Sequence, residues 1–300
     1  MTVLGAGTAT KQAEEVATRV AGSGLSAMHG YFAHRPAEVA AGAARLLGVP
    51  YGFSVHALDA RKVAPAELAA RAAEASWVRA CNGDVAATVA AAGVRPRLIP
   101  HGVDLDVFRA TPPAPGARVE VLAVGRFVEK KGFATLLTAI ARIERDVRLR
   151  LVGDGPLRAE LVAQVRRLGL DRTVTVEPRR AHDALPGCYA RADLVVVPSV
   201  VDAGGDRDGL PNVVLEAMAS GRPVIASDVG AIATGVGDGV TGRLVRPGDV
   251  DALATAITEL VDRPDLRRSF GARARTVAET RFALADCTTA FCAALEEIHA

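Results

Sequence analysis

ADLVVVPSVVDAGGDRDGLPNVVLEAMASGRPVIASD, residues 192–228, contains the pattern on which the fold turns. A short β-rich run, residues 192–199, leads into a loop of glycine and aspartate. The loop passes through Asp208-Gly209-Leu210-Pro211 into an apolar helix, and a second β-rich run follows at 223–228. Free helix-start amides and Gly209, a residue that lets backbone approach a ligand closely, stand where the loop meets the helix. The helix carries one carboxylate, Glu216, eight positions after Asp208 and flanked by the apolar residues Leu215, Ala217 and Met218. An acceptor-only group one turn inside a helix suits vicinal hydroxyls such as those of a ribose. The alternative for Glu216 is a place on a polar surface face.

The same grammar extends in both directions. Further β-rich runs lie at 119–125, 147–155, 173–178 and 242–247, with helical patterns between them. In 156–169, Pro156 suits a first helical position, and Leu157, Leu161, Val162, Val165 and Leu168 recur at three- and four-residue spacing. In 248–262, Asp249 is the expected N-cap for a helix with Leu253, Ile257, Leu260 and Val261 on one face. Strand, helix, strand in repeated alternation predicts an α/β fold, a parallel sheet covered by helices on both faces. Upstream, FRATPPAPGAR (108–118) holds three prolines and a glycine within a few residues and reads as a linker. Before it, strands are expected at 25–32 and 51–57 around a helix at 35–48, with short extended runs in ASWVRACN and RPRLIPHG. The first 24 residues are weakly patterned.

Composition narrows the function. A chain of 300 residues, half of them apolar, can build about two domains. A formal charge of +2 and 4% aromatic residues point away from nucleic acid. Cys81, Cys188, Cys287 and Cys292 form no CxxC pair and read as small core residues in a reducing compartment. No apolar run reaches the ~18 residues of a membrane span, so a cytoplasmic protein is expected. Contact with a membrane periphery through a basic face stays open. The acidic run DAGGDRDG lacks the ligand spacing and closing glutamate of a calcium loop.

Ligands of such sheets bind beyond the carboxyl ends of the strands. There, Gly125 and Arg126 follow the run at 119–125, and Lys130 and Lys131 stand at the next helix entrance. Arg126 and, five positions on, Lys131 place two cations beside a helix start and make an anion site, with solvated loop charges as the alternative.

Taken together, VGRFVEKKGFATLLTAI, LVGDGPLRAEL, ADLVVVPS, DRDGLPNVVLEAMASGRPVIASDVG and GVTGRLVRPGD resemble the nucleotide-sugar domain of the family 4 retaining glycosyltransferases, glycosyl transferases group 1. The resemblance covers 119–282 and continues upstream in HGYFAHRPAEVAAGAARLLGVPYGFSVHALD and RLIPHGVDLDVFR. It implies a GT-B fold of two Rossmann-like, doubly wound domains facing a cleft. Residues 1–107 would form a shortened acceptor-side domain, 108–118 the linker, 119–282 the donor domain, and 283–300 a C-terminal helix crossing back to the first domain. It further implies that Arg126 and Lys131 hold the donor diphosphate, that Glu216 holds the ribose, and that Asp208 lies near the sugar hydroxyls. Gly125, Gly209, Leu210, Pro211 and Asn212 would form the backbone cradle. His56 matches a histidine facing the donor sugar; on its own it reads equally as a strand cap. No metal or cofactor is implied beyond the nucleotide diphosphate sugar as co-substrate. The expected reaction moves a hexose to a glycan or lipid-linked acceptor in surface polysaccharide assembly, the alternative being a non-catalytic nucleotide-sugar-binding protein. Departures from the family pattern are the aspartate at 208, Thr234 in place of a glutamate, and a late start, MTVLGAGTATKQAEEVATRV, without a convincing first strand.

Overall fold

In the computed structural model of the chain, which describes residues 8–112 and 118–297, every strand pairing is parallel. The chain divides into two units, one holding residues up to His101 and from Asp286 onward, the other Gly102–Ala285.

The first unit runs α1 (Ala9–Val20), β1 (Met28–Gly30), α2 (Arg35–Leu47), β2 (Tyr51–Val55), α3 (Asp59–Lys62), α4 (Pro65–Glu74), β3 (Trp77–Ala80), α5 (Gly83–Ala91) and β4 (Arg97–Leu98). Its sheet has the order β1-β2-β3-β4. β2 and β3 are buried at every residue, as central strands covered on both faces must be. Helix α5 starts where Asn82 Oδ1 accepts from the Val85 amide at 2.9 Å. The weakly patterned start of the chain contains α1, which sequence reading missed. Its inner face is mostly alanine: Ala13 and Ala17 pack on Ala43 of α2, beside a buried Gln12. Methyl groups give a faint periodic signal, yet they allow two helices to approach closely.

The second unit runs β5 (Val119–Val124), α6 (Phe133–Ile140), β6 (Val147–Val152), α7 (Arg158–Arg167), β7 (Val174–Glu177), α8 (Leu185–Ala190), β8 (Leu194–Val197), α9 (Asn212–Ala219), β9 (Val224–Ser227), β10 (Gly242–Val245), α10 (Val250–Asp262) and α11 (Pro264–Arg281). A last helix, α12 (Leu284–Glu296), follows, and from Asp286 its residues pack with the first unit. The sheet order is β10-β9-β8-β5-β6-β7. Its strands alternate between two cores. Val121, Ala123, Leu149, Leu151, Leu194, Val196 and Ile225 meet α6, α7 and α10 on one face. Leu122, Val152, Val195, Val197, Val224 and Ala226 meet α9 and α11 on the other. Both faces are apolar, which explains the unbroken hydrophobic runs in the sequence. The chain leaves β5 on one side toward β6 and β7, then returns to β5's other side with β8. That reversal is the switch point of the sheet.

Several expectations need correcting. Helix α7 begins at Arg158 with Leu157 as its cap, so Pro156 precedes the helix. The Leu157 amide donates to Phe127 O at 3.0 Å, which ties the turn to the neighbouring loop before the helix starts. Cys81, Cys188 and Cys287 are buried, but Cys292 is exposed on α12. Residues 102–107 belong to the second unit, where Val103 N donates to Phe282 O at 2.8 Å. Of the expected linker, 113–117 lie outside the described residues. The rest is irregular but anchored: Phe108 is 1% exposed, and Thr111 O accepts from the buried Arg222 at 2.8 Å. The GAG at 5–7 also lies outside the described residues. Among the described residues, no helix is long and apolar enough to cross a membrane.

One close approach organises the switch point. Gly132, with φ of 63°, caps α6, and a methyl group on it would lie 1.8 Å from Pro198 O. Gly132→Ala should therefore cost more than the roughly 1–2 kcal/mol of left-handed backbone alone, measured by urea denaturation. A smaller loss would mean that the two loops can part freely.

Candidate functional site

The loops that follow β5 and β8 meet at the carboxyl edge of the second sheet. After β5 come Gly125, Arg126 and a single 3-10 turn, Glu129–Lys131. After β8 the chain runs through a fully buried Ser199 and a long loop to Asp208 and α9.

Three consecutive side chains of the turn grip this loop. Glu129 Oε1 accepts from the Ala203 amide at 3.2 Å. Lys130 Nζ donates to Asp206 Oδ2 at 2.8 Å and lies 3.9 Å from Asp208 Oδ1. Lys131 Nζ donates to Asp208 Oδ2 at 2.7 Å, and Ser199 Oγ donates to the same oxygen at 2.6 Å. The loop is also ordered from within, since Asp202 Oδ1 accepts from the Gly204 and Asp206 amides at 2.9 and 2.8 Å. Asp208 is only 8% exposed. Its carboxylate is drawn inward by Lys131 and Ser199. Asp206 and Asp208 stand two apart in the loop, and both carboxylates meet the lysine pair. Adjacent lysines facing alternating aspartates were the signal for this contact, and Lys130 and Ser199 were missed as members.

The cradle residues surround this pair. Lys131 crosses Gly125, since a methyl group there would lie 3.6 Å from Lys131 Cδ. Gly230 has φ of 58°, and a methyl group on it would lie 2.1 Å from Asp208 O and 3.4 Å from Gly209 Cα. The Asp208-Gly209 backbone is therefore clamped from below. Leu210 packs near Gly235, and Pro211 caps α9 without a side-chain hydrogen bond. The first amides of α9, beginning at Asn212, thus have no side-chain acceptor, and their partial positive charge faces the same edge. Arg126 is exposed, and among the described residues no protein group pairs with its guanidinium.

Glu216 is buried, which removes its reading as a polar-face residue. Its Oε2 accepts from the Tyr189 phenol at 2.7 Å, and no contact joins it to Lys131. Burial pushes its carboxyl pKa up, opposed by the Tyr189 hydrogen bond and then by His182. Burial and the adjacent Glu216 push Tyr189 well above the ordinary phenol range. Tyr189 sits in α8, outside every motif, and nothing in the sequence pointed to it.

His56 alone of the predicted site residues lies in the first unit. It follows β2, with ring centroids 4.8 Å from Phe32, 4.9 Å from Tyr31 and 5.1 Å from His101. Its ring caps no strand; both ring nitrogens are buried without a hydrogen bond, and Nδ1 lies 3.6 Å from Asp59 Oδ2. Burial first, then Arg79 and His56, pulls His29 and His101 down to about 4, so both are neutral imidazoles at neutral pH. Among the described residues, no group of three or more His, Cys, Asp or Glu is placed to hold a metal ion.

Residues 118–263, within the second unit, match the family described as glycosyl transferases group 1. A GDP-mannose-dependent alpha-(1-6)-phosphatidylinositol monomannoside mannosyltransferase of Mycobacterium tuberculosis is 37% identical over 190 residues, 59% of this chain and 49% of that protein. An MMP alpha-(1->4)-mannosyltransferase of Mycolicibacterium hassiacum is 33% identical over 248 residues, 78% of this chain and 56% of that protein. The chain spans about half the length of the curated relatives it matches. Anabaena HepE in complex with UDP superposes with a TM-score of 0.83 at 23% identity, over 95% of this chain and 82% of that one. Sucrose-phosphate synthase from Thermosynechococcus elongatus gives 0.83 at 26%, over 96% and 77%. The fold is accordingly the GT-B type, α/β with parallel sheets.

Two measurements probe the site's electrostatics. Removing Lys131 leaves Asp208 buried with the neutral Ser199 hydroxyl and, at 3.9 Å, Lys130, so Lys131→Ala should cost about 3 kcal/mol, at the lower end for a broken buried pair. Lys131→Ala with Asp208→Ala should recover much of that loss in a urea double-mutant cycle. Additive losses would show that the pair is not coupled. For Glu216, the folded carboxyl pKa is raised, so the native state binds a proton before the unfolded chain does. Its ionisation therefore lowers stability as pH rises from the unfolded value through the folded one. Glu216→Gln should raise the melting temperature at neutral pH, and the gain should vanish in acid.

Proposed function

We propose that the chain is a retaining glycosyltransferase that binds a nucleotide diphosphate sugar at the carboxyl edge of the second sheet. The observation that carries this reading is the meeting of Lys131, the uncapped start of α9 and a partnerless Arg126 at the switch point between β5 and β8. Such an edge concentrates positive potential where a diphosphate fits. Lys131 has three N–H donors, so it can keep Asp208 and still reach a phosphate. Arg126 adds a planar, bidentate donor.

As the bond from the anomeric carbon to the diphosphate oxygen breaks, negative charge grows on the leaving diphosphate. Arg126 and Lys131 stabilise that charge, and an acceptor hydroxyl attacks from the face the leaving group has just vacated, its proton passing to the departing diphosphate oxygen as the new glycosidic bond forms. No side chain of the site is arranged as a nucleophile, so leaving-group stabilisation carries most of the rate. Glu216 receives the ribose hydroxyls, and Asp208, held by Lys131 and Ser199, stands near the sugar. The relatives support a hexose donor and a glycan or glycolipid acceptor: the mycobacterial protein is GDP-mannose-dependent and acts on a phosphatidylinositol monomannoside, and HepE was captured with UDP-glucose. A role in surface polysaccharide assembly, work on the cytoplasmic side, and metal-independent chemistry are parts of the same reading.

The test is nucleotide release from UDP-, GDP- and ADP-sugars with and without glycan or lipid acceptors. Acceptor-dependent release supports the transferase. Tight binding without release favours a nucleotide-sugar-binding protein. Arg126→Ala should weaken nucleotide-sugar affinity by ~1–3 kcal/mol with an unchanged melting temperature, because its guanidinium holds no protein group. Glu216→Ala should weaken affinity by a similar ~1–3 kcal/mol. Unchanged calorimetric titrations for both variants would remove the site assignment.

A further inference from the structure

We propose that Tyr189 is a positioning residue for the nucleotide, its phenol holding Glu216 by Oε2 so that Oε1 is presented to the ribose hydroxyls. The inference rests on the donor reading above.

Glu216 is buried, and among the described residues no lysine or arginine pairs with its side chain. Tyr189 is, among the described residues, the one side chain that hydrogen-bonds it, at 2.7 Å. No side chain among the described residues hydrogen-bonds the other oxygen, Oε1. A glutamate has three rotatable bonds, and in an apolar site an untethered carboxylate would populate several rotamers. The phenol prevents this because it is itself immobile. Tyr189 is fully buried, and its ring meets Phe108 edge-on with centroids 5.7 Å apart. Phe108 in turn meets His182 at 5.4 Å. Tyr189 and His182 are the titratable groups acting on Glu216, and Cys188 acts on Tyr189. Because the phenol pKa lies well above its ordinary value, Tyr189 stays a donor across the physiological range. One tether on one oxygen leaves one oxygen free, the arrangement a bound diol needs.

The experiment titrates UDP and GDP, and their 2′,3′-dideoxy counterparts, into the wild-type chain and Tyr189→Phe from acid to neutral pH, with thermal melting as the fold control. Tyr189→Phe should bind the ribonucleotides about tenfold more weakly, as for loss of a hydrogen bond to a charged group. The dideoxy ligands should be nearly unaffected. The acid limb of affinity should move to higher pH in Tyr189→Phe, since the hydrogen bond that lowers the Glu216 pKa is gone. It should disappear in Glu216→Gln. Equal penalties for ribo- and dideoxynucleotides would assign Tyr189 to packing alone and overturn the inference. If the wild-type chain discriminates ribose through Glu216 while Tyr189→Phe behaves identically, the inference fails and the donor reading stands. If the wild-type chain binds neither diphosphate, both fall. Should Tyr189→Phe not fold, fluorotyrosine at 189 keeps the ring and strengthens the donor. It should tighten ribonucleotide binding and lower the acid limb, and no change would overturn the proposal.

Discussion

The carboxyl edge of the second sheet depends on how closely the loop after β5 can approach the loop after β8. Gly132 sits so near Pro198 O that no side chain fits between them. With the backbones this close, three neighbouring residues of one turn, Glu129, Lys130 and Lys131, all reach the facing loop. The contact is a consequence of topology. The chain reverses between β5 and β8, so residues some 70 positions apart become neighbours at one sheet edge.

The two buried carboxylates of this edge are stabilised in opposite ways. Asp208 is compensated by charge, with Lys131 and Ser199 both on Oδ2. Among the described residues Glu216 has a single side-chain donor, the neutral Tyr189, and burial raises its pKa. An ion pair desolvated to this degree fixes geometry more than it adds stability. A carboxylate with one neutral donor keeps its remaining acceptor capacity for something that arrives later. Sites that bind polar ligands often retain such uncompensated groups at a cost in stability.

The first unit follows the same parallel logic with smaller side chains. Alanines line α1 and α2, whereas the bulk lies in β2, in Trp77 and in the ring cluster around His56. That cluster follows the carboxyl ends of β1, β2 and β4, the same relation to a sheet that Lys131 and Asp208 have in the second unit. His101 of this cluster and His29 of β1 are held neutral by burial and by Arg79, whose guanidinium bonds Ile99 O at 2.8 Å and Pro100 O at 3.0 Å.

Much of this protein was legible along the chain because parallel α/β units announce themselves locally. Buried strands are short unbroken apolar runs, caps such as Asp249 precede their helices, and glycines mark the tight loops. From that grammar come the six-stranded sheet, the motif residues Arg126, Lys131, Asp208 and Glu216, and the edge at which they stand. Helix α1 escaped because alanine faces carry little periodic contrast, and Pro156 misled because the Leu157 amide bonds a distant loop before its helix begins. Only the tertiary structure decided which groups pair: Lys130 with Asp206, Lys131 with Asp208 and Ser199, Tyr189 with Glu216. Local propensity specifies the shape of a segment, but a hydrogen bond between segments depends on the order in which strands assemble, and strand order leaves no mark on any one stretch of sequence.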